Sequence, residues 1–312
     1  MALTETVINR VKTALRSTQK IPSFSILRNR ISDKKILVAP GVFSAVVAKL
    51  AQDVGFEALY FSGGGFANLL GLPDLGITTL TEVTDAVRQI TSAATPPLIV
   101  DVDTGFGEPL NVARTVREMQ AAGAAAIQVE DQVMPKRCGH LDGKQLVAVD
   151  EMVRKIAMAK EESRLVVIAR TDARGVEGLD SAIERARAYV NAGAEVIFPE
   201  ALQSRDEFSE FSKKINARLL ANMTEFGKTP YMTVSEFEQL GYRVVIFPMT
   251  AFRAMLFAVR QTFQELKMTG TQKGLLRRMM TRDEVYRLID YSSYVDSDNQ
   301  VLSVSRNLKR KR

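Results

Sequence analysis

The sequence predicts a single α/β domain, a (β/α)8 barrel of the TIM type with additional C-terminal helices. Short apolar runs alternate with longer amphipathic segments eight times along the 312 residues. These runs are continuous in Val, Ile and Leu, as expected of strands that are buried on both faces. Polar residues gather at the C-terminal ends of the runs, where barrels of this type place their catalytic residues.

The strand candidates are short and rich in Val, Ile and Leu. In chain order they are residues 36–41, 58–63, 97–103, 126–131, 165–172, 195–200, 219–225 and 243–249. Helical patterns fill the intervals, and those at 111–124 and 180–194 contain a glycine near their ends, as helix C-termini favour. No strand pattern follows residue 267, so we predict additional helices that cap the barrel or pack on a neighbouring subunit.

These patterns divide the chain into an N-terminal extension (1–22), the catalytic barrel (23–267), a helical segment (268–300) and a basic tail (301–312). The tail carries five Lys and Arg residues, which account for most of the net charge of +6. Such a terminal run is usually solvated and lacks the interleaved aromatic residues of a nucleic-acid site, so we expect no nucleic-acid partner. No apolar run approaches the roughly 20 residues that span a bilayer, so we expect no membrane association.

The cellular compartment is suggested by the cysteine count. A single cysteine cannot form an internal disulfide, which favours a reducing compartment, and we expect the cytoplasm. Residues 1 to 20 are basic and amphipathic, as mitochondrial transit peptides are. Because Glu5 and the lack of an Arg-rich, Ser-rich composition argue against a transit peptide, the mitochondrial matrix is the alternative location.

Three carboxylates at the ends of neighbouring strands suggest a metal site. Asp101 and Asp103 are two residues apart on one strand, so their side chains point to the same side, and Glu130 lies on the next strand. Hard oxygen ligands of this kind suit Mg²⁺, or Mn²⁺, with several waters left for a substrate to displace. The alternative is a structural pair that caps loops, but two close like charges favour a cation.

Groups on the same rim favour an anionic substrate. The SGGGF segment at 62–66 allows backbone N–H groups to form an anion nest, and a tight turn is an equally good interpretation. Arg170 lies inside an apolar strand, where a buried cation requires a partner. Arg253 and the Lys136–Arg137 pair add positive charge, and a planar guanidinium suits carboxylates.

The only cysteine and the only histidine of the chain lie two positions apart, at Cys138 and His140. A zinc site would need further Cys or His ligands, and an acyl-transfer dyad would also need an oxyanion hole. A third interpretation is proton delivery to carbon, with nearby Lys136 and His140 lowering the pKa of the thiol. A buried, inert cysteine fits poorly in the polar hexapeptide PKRCGH.

Ordered motifs make the chain resemble a known superfamily. KRCGH, preceded by VED and followed by ARTDA, FPEA, ANMTEFG and AFRAM, is similar to the isocitrate lyase and phosphoenolpyruvate mutase superfamily. Within it, YFSGGG, GLPDLGI, VDVDTGFG and NVARTV are most similar to the 2-methylisocitrate lyase branch. The resemblance covers about residues 24 to 295 and implies a barrel of the phosphoenolpyruvate mutase/isocitrate lyase type.

The resemblance implies an activity and roles for individual residues. The activity is Mg²⁺-dependent retro-aldol cleavage of (2R,3S)-2-methylisocitrate to pyruvate and succinate, in the methylcitrate cycle of propionate catabolism. Asp101 and Asp103 would hold Mg²⁺, Glu130 would bond through its waters, and Cys138 would protonate the departing carbon from a mobile loop. The further residues implied are the catalytic Tyr60 (a candidate base), His140 and Arg170, and the substrate-binding Ser62, Gly63, Gly64, Asp74, Cys138, Gly139, Arg170, Glu200, Asn222, Thr224, Arg253 and Arg282.

Related acids and assemblies stay open as alternatives. Isocitrate lyases carry Trp where Phe198 stands, so the smaller ring would leave space for the extra methyl of methylisocitrate. The alternative substrates are isocitrate, 2,3-dimethylmalate and oxaloacetate, all small di- or tricarboxylates, and a non-enzymatic barrel tethered by its basic tail is a further alternative. The family also implies a homo-oligomer, a dimer or tetramer in which C-terminal helices are exchanged.

Overall fold

A computed structural model of the protein describes residues 21 to 299. Most of the proposed N-terminal extension and the whole basic tail therefore lie outside the described residues. The predicted (β/α)8 barrel is confirmed, because eight parallel strands form a closed barrel in chain order. The barrel closes where β8 pairs with β1, with Leu37 opposite Val244.

All eight predicted strands are present within a few residues of their expected bounds. They are β1 Leu37–Val42, β2 Leu59–Phe61, β3 Leu98–Asp101, β4 Ala126–Glu130, β5 Val166–Thr171, β6 Val196–Pro199, β7 Arg218–Asn222 and β8 Val244–Phe247. Most end earlier than predicted, because the polar residues that follow leave the sheet at the rim. The clearest case is β2, where Gly63 already begins a helix.

The helices follow the strands as the periodicity predicts. They are α1 Ser23–Arg30, α2 Ala45–Val54, α3 Gly63–Leu69, α4 Leu80–Ala93, α5 Pro109–Ala121, α6 Val149–Glu162, α7 Leu179–Asn191, α8 Arg205–Lys214, α9 Val234–Gln239, α10 Thr250–Thr269 and α11 Arg282–Leu288. Gly123 and Gly193, which follow α5 and α7, have φ of 90° and 107°. These left-handed conformations explain why glycine ends both helices.

The interior of the barrel explains which polar side chains reach the site. Alternate strand residues such as Ile99, Ile168 and Phe198 form one buried cluster inside the barrel. Leu27 of α1 belongs to the same cluster, so this helix closes the N-terminal end of the barrel. Residues that continue the inward alternation past the apolar layers reach the opposite, C-terminal end, and Arg170 is one of them.

Beyond the barrel the chain is helical. The last barrel helix, α10, continues to Thr269, so the boundary expected at 267 falls inside its final turn. A 3₁₀ turn at Lys273–Arg278 and α11 follow, α11 packs against α2, and residues 291 to 299 are helical. Over the described part of the chain, we find no helix with the length and apolar character needed to cross a membrane.

Candidate active site

A cavity of about 250 Å³ opens at the C-terminal ends of the strands. Most of the residues predicted to form the site line it. They are Tyr60, Ser62, Gly64, Asp74, Asp101, Cys138, Gly139, His140, Arg170, Glu200, Asn222, Thr224 and Arg253. Residues from six of the eight strand ends and from the loop after β4 thus converge on one space, as the barrel rim predicts.

Four predicted residues do not line the cavity. Gly63, Asp103 and Glu130 are buried directly behind it: Gly63 N donates to Asp101 Oδ2 at 3.2 Å, and Glu130 contacts Arg170. Arg282 is exposed at the start of α11. The single chain therefore brings the carboxylates and glycines together but does not bring Arg282 to them.

Asp101 and Asp103 form a strained, charged pair. Asp103 N donates to Asp101 Oδ1 at 3.1 Å, and Asp103 adopts a φ of 49°, an uncommon conformation for a non-glycine residue. Burial and the charge on Asp103 raise the pKa of Asp101 to about 6. Lys136 offsets part of this charge, since its Nζ lies 2.8 Å from Asp103 Oδ1 and donates to Asp74.

The carboxylates fit a divalent cation. Arg170 Nη1 lies 3.1 Å from Glu130 Oε2, yet neither carboxylate oxygen of Glu130 accepts a hydrogen bond from the described residues, and burial raises its pKa well above the usual range. Within residues 21 to 299, no three or more His, Cys, Asp or Glu side chains are grouped to hold a metal by themselves. A site with few carboxylates and ligand positions left for water and substrate is typical of Mg²⁺.

Arg170 is the centre of the charge network. Its Nε and Nη2 donate to Asp172 at 2.9 and 3.0 Å, and its Nη2 lies 3.4 Å from Glu200 Oε2. The sequence-based expectation that a cation in this strand needs partners is therefore confirmed. Several carboxylates therefore fix the orientation of the guanidinium at the wall of the cavity.

His140 connects the loop after β4 to the end of β6. Its Nδ1 accepts a hydrogen bond from Lys228 N at 3.0 Å, which places the imidazole proton on Nε2, and Nε2 lies 3.2 Å from Glu200 Oε1. Burial opposes ionisation of Glu200, but the charge on Arg170 and the hydrogen bond from His140 lower its pKa to about 2. Glu200 is therefore a carboxylate at any working pH.

The expectation that nearby cations lower the pKa of Cys138 is wrong. Burial raises the pKa of the Cys138 thiol above its usual value, because the cations that were expected to lower it are engaged elsewhere. Lys136 faces the Asp pair and His140 faces Glu200. The thiol consequently keeps its proton at neutral pH, which suits a proton donor and not a nucleophile.

Tyr60 lies at the floor of the cavity. Its hydroxyl donates to Gln128 Oε1 at 2.6 Å. Burial and the charge on Asp101 raise the pKa of Tyr60 well above 10, while the nearby Arg170 acts in the opposite direction. The phenol is thus the stable form, and any role as a base requires additional positive charge beside it.

The far wall of the cavity carries hydrogen-bond donors. Asn222 Nδ2 donates to both oxygens of Glu200 at 3.2 and 3.3 Å. Arg253 Nη1 donates to Thr224 Oγ1 at 3.2 Å and to Glu225 Oε2 at 2.6 Å. Asn222, Thr224 and Arg253 thus bring hydrogen-bonding side chains to the cavity from the end of β7 and the first turn of α10.

The triglycine segment forms a helix start in place of an open nest. Ser62 Oγ caps α3 by accepting from Gly65 N at 3.1 Å, and Gly63 N is engaged by Asp101. A Cβ on Gly64 would lie 2.8 Å from Asp74 Oδ2, so the absence of a side chain allows Asp74 to approach. The segment is therefore the first turn of a helix, and the anion-binding interpretation stays a prediction.

Sequence reasoning missed several residues that shape the site. Gln128, which accepts from Tyr60, is buried inside the barrel, and Lys144 is a buried lysine beside Asp172. Lys136 was expected only to add charge, whereas it is ion-paired with two aspartates. The inward alternation of β4, which runs through Gln128 to Glu130, is the signal that identifies the first of these.

The fold and the rim together define an enzyme that acts on a small anionic substrate inside a (β/α)8 barrel. The model of the phosphoenolpyruvate phosphomutase family matches residues 27–267. A 2-methylisocitrate lyase of Aeropyrum pernix is 54% identical over 277 residues, 88% of this chain and 90% of that protein. A 2-methylisocitrate lyase of Bacillus subtilis is 50% identical over 275 residues, covering 88% and 91%.

Solved structures agree with this relationship. A crystal structure of 2,3-dimethylmalate lyase, a member of the PEP mutase/isocitrate lyase superfamily, superposes with a TM-score of 0.85 at 36% identity, covering 90% of this chain and 96% of that one. A phosphonopyruvate hydrolase solved with oxalate and Mg²⁺ superposes with a TM-score of 0.79 at 28% identity, covering 92% and 99%. The chain belongs to the phosphoenolpyruvate phosphomutase family.

Proposed function

We propose that the chain is a Mg²⁺-dependent 2-methylisocitrate lyase that cleaves its substrate to pyruvate and succinate. The observation that carries the proposal is the convergence, in one cavity, of the protonated Cys138 thiol, the oriented Arg170 guanidinium and the Asp101 carboxylate. Cleavage of a carbon–carbon bond beside an alkoxide needs charge stabilisation at oxygen and a proton at carbon. The similarity to 2-methylisocitrate lyases supports the choice of substrate.

The pyruvate half of the substrate would bind near the start of α3. Ser62, Gly63 and Gly64 place the start of this helix on the rim, and Asp74 and Arg170 flank it. A carboxylate is stabilised by the positive end of the helix and by the guanidinium. Because Arg170 is held by its own carboxylate partners, its position does not depend on the ligand.

The succinate half would bind at the opposite wall. Arg253, Asn222 and Thr224 supply donors there, and the carboxylate of Glu200 orients Asn222. A second carboxylate at this end matches a dicarboxylic leaving fragment. Hydrogen-bond donors at two walls of one cavity thus suit a substrate with acidic groups at both ends.

A divalent cation would be held by Asp101 and Asp103, with Glu130 binding its water ligands. When bound, such an ion stabilises negative charge on the substrate oxygens and favours loss of the hydroxyl proton. Tyr60 lies beneath the same space, and in its phenolate form, which the positive charge of a nearby cation would favour, it is our candidate for the group that receives this proton. Cys138 then donates its proton to the carbon of the dicarboxylic fragment, while the loop that carries it excludes water.

A substrate panel tests the proposal. Methylisocitrate, isocitrate, 2,3-dimethylmalate and oxaloacetate would be assayed with Mg²⁺, with Mn²⁺ and with EDTA, while pyruvate, succinate and oxalate are followed. We expect metal-dependent pyruvate and succinate in equal amounts from methylisocitrate, with the highest kcat/KM of the panel. A higher kcat/KM for another acid of the panel would show that this acid, and not methylisocitrate, is the preferred substrate.

We further propose that the chain works as a homo-oligomer through its C-terminal helices. Apolar side chains along α10 are exposed, among them Phe263 at 65% and Met268 at 76%. Patches of this kind mark protein–protein contacts. A second copy seated on α10 would cover this surface and would place its own Arg282 near the cavity.

Light scattering tests the oligomer. Wild-type protein should give the mass of a dimer or tetramer, and Phe263→Asp should shift it toward the monomer. Arg282→Ala should lower kcat/KM without changing the mass, because Arg282 is exposed in the single chain. A monomeric, fully active wild-type protein would contradict both parts.

The cytoplasmic location stays a proposal that rests on the single cysteine.

A further inference from the structure

The loop after β4 has a base that is fixed by backbone hydrogen bonds and a crest that is held by side-chain contacts. An antiparallel bridge joins Gln132 to Leu146, and Val133 N donates to Gln145 O at 2.8 Å. Residues 133 to 145, which we call the lid, rise from this base and carry Cys138 over the cavity. Lys136 and His140 connect the crest to Asp103 and Glu200, and a further contact joins the backbone of the crest to the barrel.

Lys144 makes such a contact. Its side chain is buried, its Nζ donates to Asp172 Oδ1 at 2.8 Å, and the same nitrogen donates to the carbonyl oxygen of Gly139. Gly139 directly follows Cys138. One ammonium group thus joins the crest of the lid to a carboxylate at the end of β5.

Asp172 is also the main partner of Arg170. The guanidinium donates to both of its oxygens, so the carboxylate already has a cation without Lys144. Arg170 is shared with Glu130 and Glu200, so Lys144 also contributes to the charge balance around Asp172. The additional contact that Lys144 makes, with the Gly139 carbonyl oxygen, is the one that involves the lid.

The fit of Gly139 makes this position of the lid specific. A Cβ at this residue would collide with Glu200 and would lie 2.5 Å from Arg170 Nη2. The lid backbone is therefore seated directly on the two charged residues of the site. A small outward movement of Gly139 would carry Cys138 away from the cavity with it.

We propose that Lys144 is a positioning residue that holds Cys138 over the cavity by anchoring the Gly139 carbonyl to Asp172, the carboxylate that also orients Arg170. The role of the positioned thiol in cleavage rests on the proposed function, whereas the anchoring itself does not. Loss of the anchor opens the lid and exposes Cys138. The lid and the substrate-binding arginine thus depend on one shared carboxylate.

The single cysteine gives a direct measurement of this opening. Alkylation by iodoacetamide, followed as the mass of the intact protein, can only report Cys138, and it needs no substrate. We expect Lys144→Met to raise the alkylation rate about tenfold or more, the effect of losing a charge-assisted hydrogen bond. Loss of a nearby positive charge alone would raise the thiol pKa and slow alkylation, so the two roles of Lys144 predict opposite signs.

Controls separate the anchor from general destabilisation. Lys155→Met removes another buried lysine, from α6, where Nζ lies 3.4 Å from Glu151. It should lower the melting temperature without a change in alkylation rate. Lys144→Gln keeps a donor, should show a smaller increase in the same direction, and replaces the methionine variant if that protein does not fold. In the lyase assay Lys144→Met should reduce kcat more than it raises KM.

An unchanged or slower alkylation of both Lys144 variants would overturn the proposal, even with full methylisocitrate cleavage by the wild type. Faster alkylation of the Lys144 variants, together with no cleavage of methylisocitrate by the wild type, would support the role of Lys144 and contradict the proposed substrate. The two failures are therefore distinguishable.

Discussion

The guanidinium carbon of Arg170 lies 5.3 Å from the centre of the Phe198 ring. Phe198 thus forms an apolar part of the cavity wall on which the guanidinium of Arg170 is stacked. Cation–π contacts of this kind fix a guanidinium plane. Any change in the size of the ring alters both the space left for substrate and the support of Arg170.

We predict that Phe198→Trp shifts preference toward isocitrate. The larger ring fills the space that the methyl group of methylisocitrate would occupy, a difference worth about 1 to 3 kcal/mol, or roughly ten- to two-hundred-fold in the ratio of kcat/KM values. The measurement is that ratio for the two acids. Because the chain contains no tryptophan, the variant also reports ligand binding by its own fluorescence. An unchanged ratio would mean that another residue limits the pocket.

Replacement of Cys138 by serine should nearly abolish turnover and leave binding intact. A hydroxyl is a far weaker acid than a thiol, and loss of general acid catalysis typically costs about 10²- to 10⁴-fold in rate. Calorimetric titration of pyruvate or succinate in the presence of Mg²⁺ should give affinities close to those of the wild type. Turnover at the wild-type rate would exclude Cys138 as the proton donor.

The pH dependence of Cys138 should reflect its burial. Burial raises the pKa of the thiol, so the protonated form persists through neutral pH and is lost only as the pH rises through the raised value. Alkylation should therefore show a midpoint above the roughly 8.5 of an unperturbed cysteine, and kcat/KM should fall over the same alkaline interval. Denatured protein provides the reference midpoint. A native midpoint below that of the denatured chain would show that the pKa of Cys138 is lowered, as the sequence suggested.

The sequence predicts the barrel because strand burial and helix periodicity are local properties. The carboxylates and Arg170 were found for the same reason, since residues at the ends of neighbouring strands must meet at one rim. The pKa of Cys138 could not be predicted, because it depends on which anions capture Lys136 and His140. Those pairings join residues far apart in the chain, such as Asp74 with Lys136.

Arg282 shows a limit of both the sequence and the structure of a single chain. Its motif resemblance places it in the site, whereas the single chain leaves it exposed on α11. In the oligomer proposed above, Arg282 would act across a subunit contact, and the packing of one copy does not locate such a residue. Lys144 is the converse case, since nothing in its sequence neighbourhood distinguishes it from a surface lysine until the fold places it beside Asp172.

Asp101 should link metal binding, stability and pH. Burial and the charge on Asp103 raise its pKa to about 6, above the roughly 3.9 of an unfolded chain. A carboxyl group with a raised folded pKa contributes stability that is complete below about pH 4 and lost as the pH rises through 6. In EDTA, the free energy of unfolding should therefore fall by roughly 1 to 3 kcal/mol between pH 4 and 7.5, relative to Asp101→Asn. Urea unfolding measures this difference.

The same carboxylate should make Mg²⁺ binding pH-dependent. A cation binds the ionised form, so Mg²⁺ should raise the free energy of unfolding of the wild type at pH 7.5 and have little effect near pH 4. In Asp101→Asn the neutral amide is a poorer ligand, and added Mg²⁺ should stabilise that variant less at either pH. Equal stabilisation of both proteins at pH 7.5 would show that the ion binds elsewhere, because a neutral amide in place of the Asp101 carboxylate would weaken binding at this site.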